Sequence, residues 1–417
     1  MRAYCPHHIK KRDDMGNYDQ AIMEMDKYLG SKKDEMVSFL QDFIRIKSVT
    51  YEEQEAVEYL AGKMKEYGYD EVRIDKVGNV LGRIGNGPIT VMYDAHIDTV
   101  DLGDVTKWEH HPLSGDLADG YIWGRGTVDD KGPLAAIVWA GKLLKDLNLQ
   151  DKITMWVSGS LSEEDVEGSC VDEMMKVNPD IKPDYLVVAE ASEMQVMKGN
   201  KGRAMIKITV PGVAAHASVG HTGDNALIKA LPIIAGIDKL TDLGDDPFLG
   251  KGTIEVTNVV CNTPSNNTIP GEVTIFCDRR ISCGESKEDL LAEIQPFLEL
   301  APGSTASIDM EHFNTWNGYP VAAEDFFPSW LMEEDSKVIT AGVEAFELCF
   351  KQKCNVGVWP FSTNATTLCG KYGIPTIGFG PSIEELCHSD KEKISVEEYV
   401  DAAKFYALLA LTISNKQ

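Results

Sequence analysis

Basic residues are in short supply. Forty Lys and Arg face 66 Asp and Glu over 417 residues, a net charge of −26. Nucleic acid and anionic membrane surfaces recruit proteins through an excess of positive charge, so neither is an expected partner. Long apolar runs are missing too. No stretch approaches the roughly 18 apolar residues of a membrane span. The opening MRAYCPHHIKKRDDMGNYDQ has charge but no apolar segment after it, so it does not read as a secretory signal. Residues 1–30 are expected to form an N-terminal tail, with His7-His8 a feature of that tail and not a ligand pair. Paired cysteines are also lacking. The nine cysteines are scattered, and none stands in C-x-x-C spacing. That excludes a disulfide framework and leads us to expect reduced thiols in a cytoplasmic protein. Finally, Gly124-Arg125-Gly126 is not a phosphate loop, because the G-x-x-x-x-G-K-[ST] pattern is absent around it.

What is present suits an ordinary globular protein. Hydrophobic residues make up 43% and charged residues 25%, and the length allows two domains with a large core. Residues 33–46 and 52–67 carry helical apolar periods, and 71–84 reads as strands around a Gly78-Asn79 turn. Near-continuous apolar strands at 89–93, 153–161 and 184–189 alternate with helices, as in a mostly parallel sheet covered on both faces. After Met197 the texture changes to half-buried alternation, with a β-α-β-β-α-β order ending near Met310. The expected fold is therefore α/β: a mostly parallel sheet flanked by helices over 31–197 and 313–417, with an inserted α+β ferredoxin-like unit over 198–312.

The chemistry gathers at strand ends. Ligands of open α/β sheets lie outside the carboxyl ends of the strands. Three such ends carry His96 and Asp98, Glu163 and Glu164, and Glu190. Asp129 opens a helix, and His388 follows the 375–379 strand and its loop. Two imidazoles and three carboxylates are nitrogen and oxygen donors, which suit zinc, cobalt or manganese. A carboxylate shared by two ions, about 3.5–4 Å apart, builds a co-catalytic pair. Asp98 lies two residues beyond His96 on the same face of an extended segment and can orient its ring. Asp130 reads as the acidic cap of the following helix, His110-His111 as packing beside Trp108, and Cys387 as packing beside His388.

Taken together, H-x-D at 96–98, G-R-G-x-x-D-x-K-G at 124–132, Glu163-Glu164, Glu190 after a strand and a late His388 resemble a known family. It is that of the di-zinc amidohydrolases, which includes aminoacylase, acetylornithine deacetylase, succinyl-diaminopimelate desuccinylase, glutamate carboxypeptidase and carnosinase-type dipeptidases. The resemblance runs from residue 30 onward, and the wording is closest to the branch of selenium-metabolism-linked hydrolases. It implies that Asp129 bridges two divalent ions, most simply Zn2+. His96 and Glu190 would complete one, Glu164 and His388 the other, with Glu163 as general base. By the same resemblance His216 is a lid histidine that reaches across a homodimer interface. Asn267 and Arg280 hold a substrate carboxylate, and Gly380 lines the pocket. The implied substrate is a small N-acyl or N-carbamoyl amino acid or a dipeptide, cleaved at its amide, peptide or ureido C–N bond. Glu190, where dipeptidases often have Asp, leans towards deacylases and carboxypeptidases. Asn364 and Lys391 depart from the family pattern. The alternative, an inactive metal-binding or regulatory protein, requires a missing base or ligand, and none is missing.

Overall fold

The computed structural model of the chain describes residues 7–416, with side-chain surroundings from Tyr18 to Lys416. The large sheet uses β1 (Glu71–Ile74), β2 (Val80–Ile84), β3 (Ile89–His96), β4 (Ile153–Ser160), β5 (Tyr185–Val188) and β6 (Val196–Asn200). A second sheet contains β7 (Gly202–Pro211), β8 (Thr253–Cys261), β9 (Glu272–Ile281) and β10 (Thr305–Ile308). The chain returns to the large sheet through β11 (Trp330–Leu331), β12 (Val356–Trp359) and β13 (Thr376–Gly378). The order across the large sheet is β1-β2-β4-β3-β5-β13-β6-β11, with β12 beside β6. Its centre, β4-β3-β5-β13, is parallel.

Strand alternation explains why that centre is largely apolar. Val91, Tyr93, Met155, Val157 and Val187 face one buried cluster, and Met92, Trp156, Leu186 and Val188 face another. Both faces of each strand are covered, so polar positions are few before the strand ends. The first face is packed by α1 (His7–Arg45), α2 (Gln54–Glu66), α3 (Lys131–Asp146), α8 (Lys337–Phe350) and α9 (Val396–Asn415), all contributing to one core. The opposite face receives Val171 and Met174 of α5 (Ser169–Val177).

The second sheet has the order β8-β9-β7-β10, with every neighbouring pair antiparallel. Helices α6 (Ala226–Ile237) and α7 (Lys287–Leu298) cover one face and close a separate buried cluster, including Ile206, Ile208, Ile233, Ile275 and Ile294. Strand pairing with β7 continues to Phe326–Phe327, so the chain leaves this sheet later than the expected boundary at 312.

The assignment of residues 1–30 to a tail needs correction. Helix α1 spans His7–Arg45, and Tyr18, Ile22, Met25 and Leu29 are buried in the main core. Their 4-3-4 spacing is an apolar helical stripe; the acidic and basic residues between them hide it from a reading based on charge. Lys404 of α9 pairs with Asp26 at 3.0 Å and Asn415 bonds the Tyr18 hydroxyl. The side chains of His7 and His8 lie outside the described surroundings. Among the described residues no helix is long and apolar enough to cross a membrane, and all eight described cysteines are free.

Candidate dinuclear metal site

Three neighbouring parallel strands deliver the site. β3 ends at His96, level with Ser160 at the end of β4. Beyond β4, Ser162 adopts a left-handed conformation (φ 54°) and turns the chain into the short helix α4 (Glu163–Val166). Beyond β5 the chain reaches Glu190. Asp129 precedes α3, and His388, also left-handed (φ 58°), arrives on a loop.

Two ligand groups result: His96, Asp129 and Glu190, and Asp129, Glu164 and His388. The two oxygens of Asp129 serve them separately. Oδ1 lies 2.8 Å from His96 Nε2, and Oδ2 lies 3.0 Å from His388 Nε2. Glu190 is 3.8 Å from His96 Nε2, and Glu164 is 2.9 Å from His388 Nε2. Glu163 belongs to neither group, is buried, and lines the same cleft of about 330 Å³.

The electrostatics show what this cluster is built to hold. Burial raises Glu190 to about 8 and, with the charge of Asp129, Glu164 to about 7. Burial also drives Glu163 well above the usual carboxylate range. Burial opposes ionisation of Asp129 as well, yet the hydrogen bonds to His388 and His96 outweigh it and hold its carboxyl below the usual range. Hydrogen bonds to Asp129 and Glu164 raise His388 to about 10. Four acids thus share a desolvated space where bound cations, or protons in their absence, relieve the repulsion. Mixed nitrogen and oxygen donors with one carboxylate common to both groups fit a pair of borderline divalent ions.

The surrounding bonds orient the donors. His96 Nδ1 lies 3.0 Å from the Asp98 carbonyl and 3.4 Å from its carboxylate, so the backbone oxygen is the nearer partner. The Asp98 carboxylate also accepts from the amides of Glu163 (3.0 Å) and Glu164 (3.3 Å) and from Thr50 Oγ1 (2.9 Å). One aspartate therefore aligns a ligand histidine and the turn bearing the acids. Asp130 occupies the N-cap position of α3, but its side chain does not cap the helix. Its Oδ2 accepts the backbone N–H of His96 at 3.1 Å.

The substrate-side residues divide. Arg280 lines the cleft and pairs with Asp278 at 2.8 Å. Asp278 also accepts from Arg203 (3.1 Å), which reaches Glu167 (3.0 Å) just after α4. The preceding residue, Arg279, points the other way: it is fully buried and bound by Glu285 and Glu293. His216 and Asn267 stand together outside the cleft, exposed, with Asn267 Nδ2 3.3 Å from His216 Nε2. Gly380 does not line the cleft. It fits behind Glu190, where a Cβ would lie 2.1 Å from the Glu190 carbonyl oxygen. Asn364 is structural: it donates to Asp94 (3.0 Å) and Ser160 (2.9 Å) and accepts from the Gly168 amide. Cys387 lines the cleft, but burial and the nearby acids push its thiol far up, away from nucleophilic use.

Sequence reasoning missed Glu392. It is fully buried, and its carboxylate accepts from the amides of Gly126, Val128 and Asp129 and from Arg125. The available signal was an acid four residues after His388, flanked by lysines. Glu167, Phe361, Ser362 and Glu384, which complete the cleft wall, gave no comparable pattern.

The profile of peptidase family M20/M25/M40 matches residues 92–412, a span containing every ligand and the proposed base. The chain belongs to that family. It is 39% identical over 381 residues to the uncharacterized protein YgeY of Escherichia coli K12, covering 91% of this chain and 94% of that one. It is 27% identical over 304 residues to the succinyl-diaminopimelate desuccinylase of Magnetococcus marinus, covering 69% and 77% respectively. Its fold is similar to that of the Bacillus subtilis YXEP protein, a dinuclear metal-binding peptidase of the M20 family. The TM-score is 0.69, at 14% identity, over 93% of this chain and 100% of the other. Family membership and the paired ligand groups make the chain a dinuclear metallohydrolase.

Proposed function

We propose that this enzyme hydrolyses the amide, peptide or ureido C–N bond of a small N-substituted amino acid, as a deacylase or peptidase. The observation that carries the reading is Glu163, a buried acid in the cleft that belongs to neither ligand group. His96, Asp129 and Glu190 would hold one ion, and Asp129, Glu164 and His388 the other, the donors suiting Zn2+, Co2+ or Mn2+ and the resemblance to di-zinc amidohydrolases favouring Zn2+. When bound, the ions supply the Lewis acidity that makes a water deprotonable near neutral pH. Glu163 takes that proton on its carboxylate and returns it to the departing nitrogen. Asp98 keeps the Glu163 amide and the His96 ring in register during both transfers. Arg280 receives the substrate carboxylate in the cleft.

The inserted sheet would act as lid and dimerisation unit. The exposed pair His216 and Asn267, lying outside its own cleft, supports service to the cleft of a second copy. The free thiols support a reducing, cytoplasmic setting. The test is a panel of N-acetyl, N-succinyl and N-carbamoyl amino acids and dipeptides, each with added zinc, cobalt or manganese. Hydrolysis of one class by the wild type, lost in Glu163→Ala with two ions retained, is the expected result. A Glu163→Ala protein that turns over at the wild-type rate refutes the assigned base, and sedimentation as a monomer refutes the shared cleft.

A further inference from the structure

We infer that Glu392 is a positioning residue that makes the two ion positions fill as a pair, by tying the loop of His388 to the loop of Asp129. The two positions are supported unequally. His96 and Glu190 stand at the ends of central strands, and His96 is held at its ring by Asp98 and at its backbone by Asp130. His388 stands on a loop with its side chain 54% exposed, and its ring meets Asp129 and Glu164, themselves ligands of the same position. Ser389 bonds only within the loop, donating to the Leu386 carbonyl and accepting from the Lys391 amide. Glu392 is where the loop is next anchored at long range.

What it grips is the segment of the shared carboxylate. Glu392 Oε1 accepts from Gly126 (2.8 Å), Val128 (2.9 Å) and Asp129 (3.2 Å), and Oε2 accepts from Arg125 at 2.6 Å. Its own carbonyl accepts from the Gly124 amide at 3.1 Å. Lys393–Ser395 then pairs with Tyr121–Trp123, so the junction continues as a strand ladder. Arg125 is braced in turn over the Trp108 ring at 5.1 Å. A buried carboxylate compensated by three amides and a guanidinium does not swing freely. Asp129 and His388 are therefore presented together, and the second position inherits its geometry from this junction.

The inference rests on the dinuclear assignment and not on any substrate. Apo-protein prepared by dialysis against chelator is titrated with Zn2+ and with Mn2+ by calorimetry, and bound ions are counted by mass spectrometry after gel filtration. Wild type is expected to take up two ions in one step. Glu392→Gln sets an amide donor against Arg125. It is expected to keep one ion tightly and to bind the second at least about tenfold more weakly, the scale of outer-shell changes. Lys391→Ala, an exposed neighbour, is expected to match wild type. Two ions at wild-type affinity in Glu392→Gln, or equal weakening of both, overturns the inference. A wild-type chain that binds fewer than two ions refutes the dinuclear reading itself, before any variant is compared. Circular dichroism checks folding; if Glu392→Gln does not fold, Glu392→Asp, which keeps the charge and shortens the reach, carries the same titration.

Discussion

The floor and the wall of the cleft are built by opposite strategies. The floor stands on four parallel strands, and its orienting groups Asp98, Asp130 and Asn364 are buried and bonded to backbone amides or to neighbouring side chains. The wall depends on a chain of ion pairs, Glu167–Arg203–Asp278–Arg280, that crosses from the large sheet to the second one and ends in a half-exposed guanidinium. Ion pairs at that exposure are weak and exchangeable, whereas removing a bonded partner inside the buried network is costly. The contrast separates the two tasks. Reaction chemistry is locked into the sheet, and recognition is left where partners can be traded for substrate.

Changes on the two sides should therefore fail differently. Chelation of the ions is expected to abolish turnover entirely, and Glu163→Ala to lower kcat by about 10²–10⁴-fold at unchanged metal content, read by steady-state kinetics and ion counting. Asn364→Asp places a second carboxylate against Asp94 and removes the donor it uses, which should cost about 3 kcal/mol of stability in urea unfolding. An unaltered unfolding midpoint would break the contrast on the floor side. Arg280→Ala removes about 1.5–3 kcal/mol of charge-assisted bonding, so KM for a carboxylate substrate should rise on the order of ten- to a hundredfold. The matching carboxamide should be unaffected; an equal rise for both would remove Arg280 from carboxylate recognition. Arg203→Lys is expected to act least, raising KM by roughly fivefold, about 1 kcal/mol, through loss of the planar fork between Glu167 and Asp278. A fall in kcat of the same size, with KM unchanged, would place Arg203 on the floor side instead.

Legibility in the sequence followed the range of each interaction. His96, Glu163, Glu164 and Glu190 were readable because parallel strands are largely apolar until they end, so an acid or histidine there has few structural excuses. The β-α-β-β-α-β order was readable because the second sheet is half covered and alternates. Glu392 was not, because its partners Arg125 and Gly126 lie 267 and 266 positions away. Asp130 looked like a cap because acids at helix starts commonly are; only the fold reveals that the His96 amide needs an acceptor. The stripe of α1 was overlooked because Tyr18, Ile22, Met25 and Leu29 sit among charges, and burial on one face requires knowing that a core waits beside it.

The adjacency of Arg279 and Arg280 carries a consequence of its own. Neighbours in a strand face opposite sides, so a slip of one position along β9 would send the cleft arginine into the interior and bring the interior one out. A cleft so altered would still present a guanidinium, but without Asp278 beside it and at a different height. Glu285 and Glu293 form their ion pairs with Arg279, and they hold it fully buried. They act as a ratchet pawl on the strand, guarding selectivity from a place no substrate can reach.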